Sequence, residues 1–164
     1  MVVFSFLLLS AFSGALECGT LQTQEPRNVV VILADDMGLA SLHAENPGSG
    51  LPTPHLNRLR AEGMSFTDAH SGSAVCSPTR YGLLTGRYSW RTSLKAGIVA
   101  KWGVPLIAED RLTLADVARA AGLTSACIGK WHLGWRWPKQ GGGFTRKAEE
   151  IDYGQPIGGG ALEA

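Results

Sequence analysis

The sequence has little charge, few cysteines and no apolar run long enough to cross a membrane. Asp, Glu, Lys and Arg make up 18% of its 164 residues, and the net charge is +1. A nucleic-acid-binding domain normally carries a strongly basic face, so this balance argues against that function. The three cysteines form no Cys-x-x-Cys pair or Cys/His cluster, which argues against a disulfide framework and a zinc finger. The apolar fraction of 45% is enough for the core of one globular domain.

The longest apolar run lies at the N-terminus and predicts a secretion signal. Residues 2–12 read VVFSFLLLSAF, and the small residues Ser-Gly-Ala follow at 13–15. A membrane span needs about 20 apolar residues, whereas the core of a signal peptide needs roughly 7–15. The alternative interpretation of this run is a buried core strand. We expect residues 1–15 to be a signal peptide, with no stable membrane span, and residues 16–27 to lead to the first strand. The protein is then exported to the periplasm, the extracellular space or the secretory pathway.

The rest of the sequence alternates between predicted strands and helices. Runs of β-branched and apolar residues predict strands, the first of them central and buried on both faces, at 28–34, 65–69 and 124–128. Capping residues and helical spacing predict helices at 53–63, 78–84 and 113–122. Thr113 and Asp116 have the spacing of a capping box, and the glycine-rich residues 138–164 are interpreted as a surface loop. The alternation predicts an α/β fold, with a mostly parallel sheet flanked by helices.

Two adjacent carboxylates, Asp35 and Asp36, directly follow the first predicted strand. In an open α/β sheet, ligands lie beyond the carboxyl ends of the strands. Carboxylate oxygens suit Ca²⁺ or Mg²⁺, although Ca²⁺ takes 6–8 oxygen ligands and two aspartates supply only part of that number. Taken alone, such a pair is more often a solvated strand end or a helix cap.

One of the three cysteines, Cys76, precedes a predicted helix that begins near Pro78. Arg80 lies one turn further on, so an anion at this helix N-terminus would be stabilised. The spacing Cys-x3-Arg differs from the Cys-x5-Arg of a phosphatase thiolate loop, and no cysteine-protease signature is present. A small buried side chain is the alternative role for this cysteine.

Lys130 and His132 follow the last predicted strand and lie two residues apart. On an extended segment they share one face. A cation and a titratable imidazole on one face suit the binding of an oxyanion and proton transfer to it. A surface lysine beside a histidine packed on the neighbouring tryptophans is the alternative.

Four motifs occur in the order found in one enzyme family. Residues 28–38 read NVVVILADDMG, residues 53–71 read TPHLNRLRAEGMSFTDAHS, residues 76–87 contain CSPTR and LLTGR, and residues 129–134 read GKWHLG. The third motif matches the Cys-x-Pro-x-Arg signature of the type I, formylglycine-dependent sulfatases, which are arylsulfatase-like enzymes. The other three resemble that family's first strand with its metal-binding aspartates, its first helix with the following strand, and its second signature.

The resemblance implies hydrolysis of sulfate esters by a modified cysteine. In such enzymes a maturation enzyme converts the signature cysteine to Cα-formylglycine, so hydrated Cys76 would attack sulfur and expel the alcohol or phenol. His132 would then take the proton from the second hydroxyl, and the hemiacetal sulfate would release sulfate. Lys130 and Arg80 would stabilise the hydrate and the developing negative charge.

The resemblance also implies a fold, a metal ion and partners. The fold would be that of the alkaline-phosphatase-like sulfatase domain. Asp35, Asp36 and Cys76 would contact Ca²⁺, with Mg²⁺ as the alternative. The partners would be a sulfate ester, either aryl or carbohydrate, and a formylglycine-generating enzyme or its equivalent.

Sulfatases of this kind are longer than this chain and take their remaining metal ligands and substrate-binding groups from later sequence. Residues 28–164 are therefore interpreted as an incomplete N-terminal part of the catalytic domain, inactive alone. Two alternatives stay open: a phosphonate or phosphate monoester hydrolase of the same superfamily, and a non-catalytic sulfate-ester-binding remnant.

Overall fold

The structure, a computed structural model, describes residues 28–158. The predicted signal peptide and leader, and residues 159–164, lie outside the described residues. Three α-helices and two short strands are present in the described range: α1 Pro54–Glu62, α2 Cys76–Thr85, α3 Leu114–Ala120, β1 Trp137–Pro138 and β2 Phe144–Thr145. None of the described helices is both long and apolar enough to span a membrane.

All three helices lie where the sequence predicts them. At the start of α3, the Thr113 hydroxyl accepts a hydrogen bond from the Asp116 backbone N–H, and the Asp116 carboxylate accepts one from the Thr113 backbone N–H. The predicted capping box is thereby confirmed. The predicted start of the second helix near Pro78 is two residues late, because α2 already begins at Cys76.

The cap of α1 differs from its prediction. Thr53 precedes the helix, but its side chain makes no capping hydrogen bond. Its hydroxyl instead accepts from the backbone N–H of His43 at 3.0 Å and donates to Asn57 at 3.0 Å. Pro54 at the first helical position compensates in part, since proline has no N–H that needs a partner there.

The three predicted strands are not hydrogen-bonded strands in the structure. Residues 28–34, 65–69 and 124–128 form no sheet, and the described range contains only the antiparallel pair β1–β2. The predicted burial of the first segment is wrong for this chain, because Val30 and Ile32 are 83% and 81% exposed. A strand is defined by the backbone hydrogen bonds of a neighbour, and no described residue pairs with these segments. The parallel sheet is therefore unconfirmed.

The glycine-rich segment predicted as a loop contains a small hairpin. Trp137 pairs with Thr145 and Pro138 with Phe144. Three consecutive glycines at 141–143 turn the chain with φ of 82°, 105° and 78°. Side chains with a Cβ rarely adopt such angles, so this turn requires glycine.

Few large apolar side chains are buried in the described part of the chain. The buried apolar residues are Tyr81, Val99, Leu133 and Ile151. Gly134 lets this segment lie against the chain at 103–104, because a Cβ at that position would overlap the carbonyl group of Val104. Backbone hydrogen bonds from Trp135 to Gly103 (3.0 Å) and from Leu106 to Leu133 (2.8 Å) hold the contact. These contacts hold the end of the GKWHLG segment against residues 103–106.

Candidate active site

Cys76 is the first residue of α2 and lies at the edge of a cavity. The helix is anchored by the next residues, Ser77 and Pro78, and one turn later by Tyr81, all of which are buried. Cys76 itself is a half-buried free thiol. Since the first peptide N–H groups of a helix have no partner within it, this end attracts negative charge. The predicted placement of the cysteine at a helix N-terminus is therefore confirmed.

Lys130 connects the cysteine to the first aspartate. Its ammonium lies 2.6 Å from Oδ2 of Asp35 and 3.3 Å from Sγ of Cys76. The hydrogen bond from Lys130 holds the pKa of Asp35 below its usual range. The same hydrogen bond, together with the one to Cys76, raises the pKa of Lys130. Lysine and aspartate are thus both held in their charged forms at neutral pH.

Arg80 adds a second cation on the same cluster. Its Nη2 lies 3.6 Å from Oδ2 of Asp35, and its Nη1 donates to the carbonyl oxygen of Lys130 at 2.5 Å. The Arg80 side chain is only 13% exposed, so its charge is partly shielded from solvent. Four of the predicted site residues, Asp35, Cys76, Arg80 and Lys130, are therefore in direct contact although they come from three distant parts of the sequence.

Asp36 lines the same cavity of about 330 Å³ as Asp35, Cys76 and Arg80. Its backbone adopts a left-handed conformation, with φ of 56°. Such a conformation is uncommon for a residue with a side chain and is often found where the chain is held for function. Three hydroxyl-bearing residues complete the polar part of the wall: Ser71, Ser73 and Thr79.

His132 is held beside the cluster through two residues that the sequence analysis did not single out. Its Nε2 donates to the carbonyl oxygen of Val99 at 3.1 Å, and its own carbonyl oxygen accepts from the Ser77 hydroxyl at 2.8 Å. The Ser77 hydroxyl in turn accepts from the backbone N–H of Val99 at 3.0 Å. Because Ser77 is fully buried, this network fixes the second signature against α2. In the sequence, the one signal that indicates a role for Ser77 is its position next to Cys76.

The hydrogen-bond roles of the two ring nitrogens of His132 follow from these contacts. A carbonyl oxygen can only accept, so Nε2 carries the hydrogen and Nδ1 of the neutral ring has a free lone pair. Nδ1 is buried and has no hydrogen-bond partner in the described part of the chain. No hydrogen bond joins His132 to Cys76 within that range either. The predicted role of His132 in proton transfer therefore stays a prediction.

The described side chains include the type of ligand that a divalent cation prefers. They do not supply enough ligands to complete a site. Asp35 and Asp36 offer the carboxylate oxygens that Ca²⁺ and Mg²⁺ prefer, and both line one cavity. Residues 28–158 contain no group of three His, Cys, Asp or Glu side chains placed to bind one metal ion. Two carboxylates provide at most four oxygens, so a complete Ca²⁺ site needs further ligands.

Comparison with known proteins agrees with the family resemblance that the ordered motifs indicate. The model of the sulfatase family matches residues 27–156, most of the chain. The chain belongs to the sulfatase family. It is 37% identical over 136 residues to an N-acetylgalactosamine-6-O-sulfatase of Bacteroides thetaiotaomicron. It is 43% identical over 116 residues to arylsulfatase G of Rattus norvegicus, and 38% identical over 123 residues to human arylsulfatase A.

The chain spans about a quarter of the length of these relatives. The matches cover 80%, 69% and 73% of this chain, but only 26%, 21% and 23% of the three relatives. Membership implies the alkaline-phosphatase-like α/β fold of sulfatases, of which the described residues form a part. Members of this family are sulfuric ester hydrolases, so the cluster around Cys76 is the candidate active site.

Proposed function

We propose that the chain is the N-terminal part of the catalytic domain of an exported sulfatase. Its site would hydrolyse sulfate esters. The observation that carries this proposal is the position of Lys130, whose ammonium contacts both Asp35 and Cys76 at the start of α2. A cation and a helix N-terminus at one cysteine form a site for an anion such as a sulfate ester.

We infer that position 76 acts after conversion of its thiol to Cα-formylglycine by a maturation enzyme. When hydrated, this group supplies a hydroxyl as the nucleophile toward sulfur. The half-buried position of Cys76 at the first turn of α2 keeps the side chain at the cavity and accessible from it. Its contact with Lys130 supports the same role, because an ammonium lowers the cost of negative charge on a neighbouring oxygen.

Arg80 and Lys130 would bind and orient the sulfate group. Both cations are held by Asp35, so they need little reorganisation when an anion enters. Fixed charges of this kind contribute to catalysis because their orientation is already set in the folded protein. Removing one such group typically lowers kcat by about 10²–10³.

His132 would act as the proton acceptor at the modified side chain. Its Nε2 is used by Val99, which leaves Nδ1 as the only ring atom able to take a proton. The Ser77 network holds the backbone of His132 in its left-handed conformation, with φ of 55°. Ser77 and Val99 are thus positioning residues for the proposed base.

Asp35 and Asp36 would hold a Ca²⁺ ion, or Mg²⁺, together with ligands from outside the described residues. The ion would polarise the sulfate oxygens and favour the ionised form of the nucleophile. Asp35 now contacts Lys130 and Arg80, so its carboxylate would be shared between the ion and these cations. Because this ligand set is incomplete, we expect the 164-residue chain to be inactive alone.

A chimera tests the proposed function. Residues 27–156 replace the matching segment of the Bacteroides thetaiotaomicron sulfatase, and the chimera is produced with a formylglycine-generating enzyme. We expect it to hydrolyse an aryl or carbohydrate sulfate ester. Cys76→Ala should abolish turnover, and Cys127→Ala, which removes the exposed free thiol, should leave it intact.

Three results would speak against the proposal. A folded chimera without turnover would contradict the assigned site. Equal turnover by the Cys76→Ala variant would remove the nucleophile from position 76. Faster hydrolysis of a phosphonate ester than of the sulfate ester would move the activity to another ester class.

A further inference from the structure

An exposed pair of aromatic side chains lies beside the cavity of the candidate active site. Tyr88 and Trp90 are 55% and 53% exposed. Their rings are nearly parallel, with 15° between the planes and 5.8 Å between the centroids. The Tyr88 ring lies against Gly72, where an added Cβ would be 3.7 Å from it. Because Ser71 and Ser73 line the cavity, the aromatic pair adjoins the cavity wall.

Backbone and side-chain hydrogen bonds hold this pair in place. A short 3₁₀-helix, Ser89–Arg91, follows α2, and its first residue is buried. The carbonyl oxygen of Ser89 accepts from the hydroxyl and the N–H of Thr92, at 2.6 and 2.8 Å. The Lys95 ammonium donates to the carbonyl oxygen of Trp90 at 2.9 Å. Two stacked rings exposed on an anchored segment form a preformed contact surface, unlike apolar residues exposed singly.

The charged side chains around the pair are all positive. Residues 69–108 contain no Asp or Glu, although the chain has 14 such residues in all, and they contain these lysines and arginines: Arg80, Arg87, Arg91, Lys95 and Lys101. The Arg91 guanidinium lies 5.1 Å from the centroid of the Trp90 ring. Within the described residues 28–158, Arg87, Arg91 and Lys95 form no ion pair with a carboxylate. This surface is therefore complementary to an anionic ligand.

Aromatic rings and unpaired cations together define the chemistry of the ligand. The apolar C–H face of a sugar ring packs flat on an aromatic side chain, and a guanidinium binds a sulfate or carboxylate group. A linear saccharide with acidic groups on successive units can place one sulfate in the cavity and the next ring on the pair. A small aryl sulfate has no second ring or charge for this contact. A narrow chain also spans an adjoining cavity and surface more readily than a flat bilayer or a nucleic-acid duplex does.

We propose that Tyr88, Trp90 and Arg91 bind the sugar ring next to the one whose sulfate enters the cavity. The substrate is then an oligosaccharide with more than one acidic group, and Arg87 and Lys95 extend the positive charge along it. These residues determine specificity and do not touch the reacting atoms. The inference rests on the proposed function of the cavity, but saccharide binding is measured without turnover.

Calorimetric titration of the full 164-residue chain tests the binding. The probe is a tetrasaccharide in which 6-sulfated N-acetylgalactosamine alternates with a hexuronic acid, and the reference is the same tetrasaccharide without sulfate. We expect the sulfated probe to bind at least about tenfold more tightly, because charge-assisted hydrogen bonds to sulfate are lost in the reference. Its affinity should fall as the salt concentration rises, since exposed cations are screened by ions.

A change at Trp90 tests the aromatic contact. Trp90→Ala removes the stacking surface and should weaken binding of the sulfated probe at least about tenfold. Trp90→Phe keeps a ring and should recover most of the loss. Phe144→Ala is the matched control and should leave binding unchanged. The Phe144 ring is 63% exposed and also lies near a guanidinium, that of Arg136, but this arginine is paired with Glu109.

A change at Arg91 tests the charge without removing a ring. Arg91→Gln should weaken binding at least about threefold and reduce its dependence on salt. Arg146→Gln makes the same change of charge at an exposed arginine outside residues 69–108 and should leave binding unchanged. Circular dichroism of each variant checks its folding. If Trp90→Ala proves unfolded, the results for Arg91→Gln and Trp90→Phe decide in its place.

The chimera described under the proposed function provides a kinetic test. Trp90→Ala should raise the KM for the sulfated tetrasaccharide more than the KM for 4-nitrophenyl sulfate, which is too small to span the cavity and the aromatic pair. The kcat for the tetrasaccharide should change less than its KM, since the pair does not touch the reacting atoms. An equal effect on both substrates would assign Trp90 a structural role and contradict the proposal.

Four binding results would overturn the proposal: no binding of the sulfated tetrasaccharide, equal binding of the unsulfated one, binding insensitive to both Trp90→Ala and Arg91→Gln, or tighter binding of a DNA duplex or phosphatidylserine vesicles that the same variants abolish. The fourth would assign the surface to a nucleic acid or a membrane. Saccharide binding with the expected variant effects, but a chimera without turnover, would count against the proposed activity and leave this binding surface standing.

Discussion

Lys130 is the residue on which the site depends, because it joins segments that lie 95 and 54 residues away in sequence. The charge of Lys130 and its place after a predicted strand mark it as a candidate site residue. Separate patterns predict its partners Asp35 and Cys76. Their contact could not be predicted from local patterns, since it joins segments that are 95 and 54 residues apart in the sequence.

Replacing Lys130 by methionine should raise the pKa of Asp35. The hydrogen bond from the ammonium favours the ionised carboxyl, so its loss returns the pKa toward the usual range. A carbon-13 NMR titration of the side-chain carboxyls measures the shift. Lys95→Met is the control, because that amine donates to the carbonyl oxygen of Trp90. An unchanged pKa in Lys130→Met would contradict the described contact.

The stability of the hairpin region should depend on pH because of Glu150. Its carboxylate accepts from the Thr145 hydroxyl at 2.9 Å and lies 3.2 Å from both Lys147 and Lys139. These contacts lower the pKa of Glu150 from 4.5 to about 2. A lowered carboxyl pKa stabilises the folded form above the unfolded value, and this contribution is lost as the pH falls from about 4.5 toward about 2.

Glu150→Gln should therefore speed amide exchange in the hairpin at neutral pH and have little effect near pH 2. Exchange rates at 137–145, measured across that pH range, test the prediction. Glu149→Gln, which changes an exposed neighbour, is the matched control. A Glu150→Gln effect that stays constant with pH would show that the carboxylate charge is not its origin.

At the scale of elements, helices were more predictable than strands because their signals are local. The capping box of Thr113 and Asp116 and the glycine after α1 are each read from a few neighbouring residues. The strand at 28–34 depends on neighbours distant in sequence, and its composition alone does not supply them. The hairpin at 137–145 was missed because its strands have only two residues each.

Thr113→Ala should destabilise α3. The hydroxyl satisfies one free N–H at the helix start, and losing such a cap typically costs about 0.5–2 kcal/mol. Amide exchange in α3 under native conditions measures the local opening free energy. Thr113→Ser keeps the hydroxyl and should recover most of the loss. Equal destabilisation by both variants would assign the effect to packing of the buried residue instead of to the cap.

At the scale of the whole molecule, the described residues place the candidate site next to an apolar cleft. The candidate site has its cations, its cysteine and two carboxylates in place, while residues 28–158 contain no cluster of three potential metal ligands. The cleft of about 730 Å³ opens beside that site. Asp35 and Arg80 line both this cleft and the cavity of the candidate site.

The central claim is that Cys76 is the residue that becomes the nucleophile. The most direct measurement is mass spectrometry of the peptide containing Cys76, after production of the chain with a formylglycine-generating enzyme. The account predicts an aldehyde at position 76 that reacts with a hydrazide probe, while Cys127 keeps its thiol. An unmodified thiol at Cys76, under conditions that convert a known sulfatase in parallel, would contradict it.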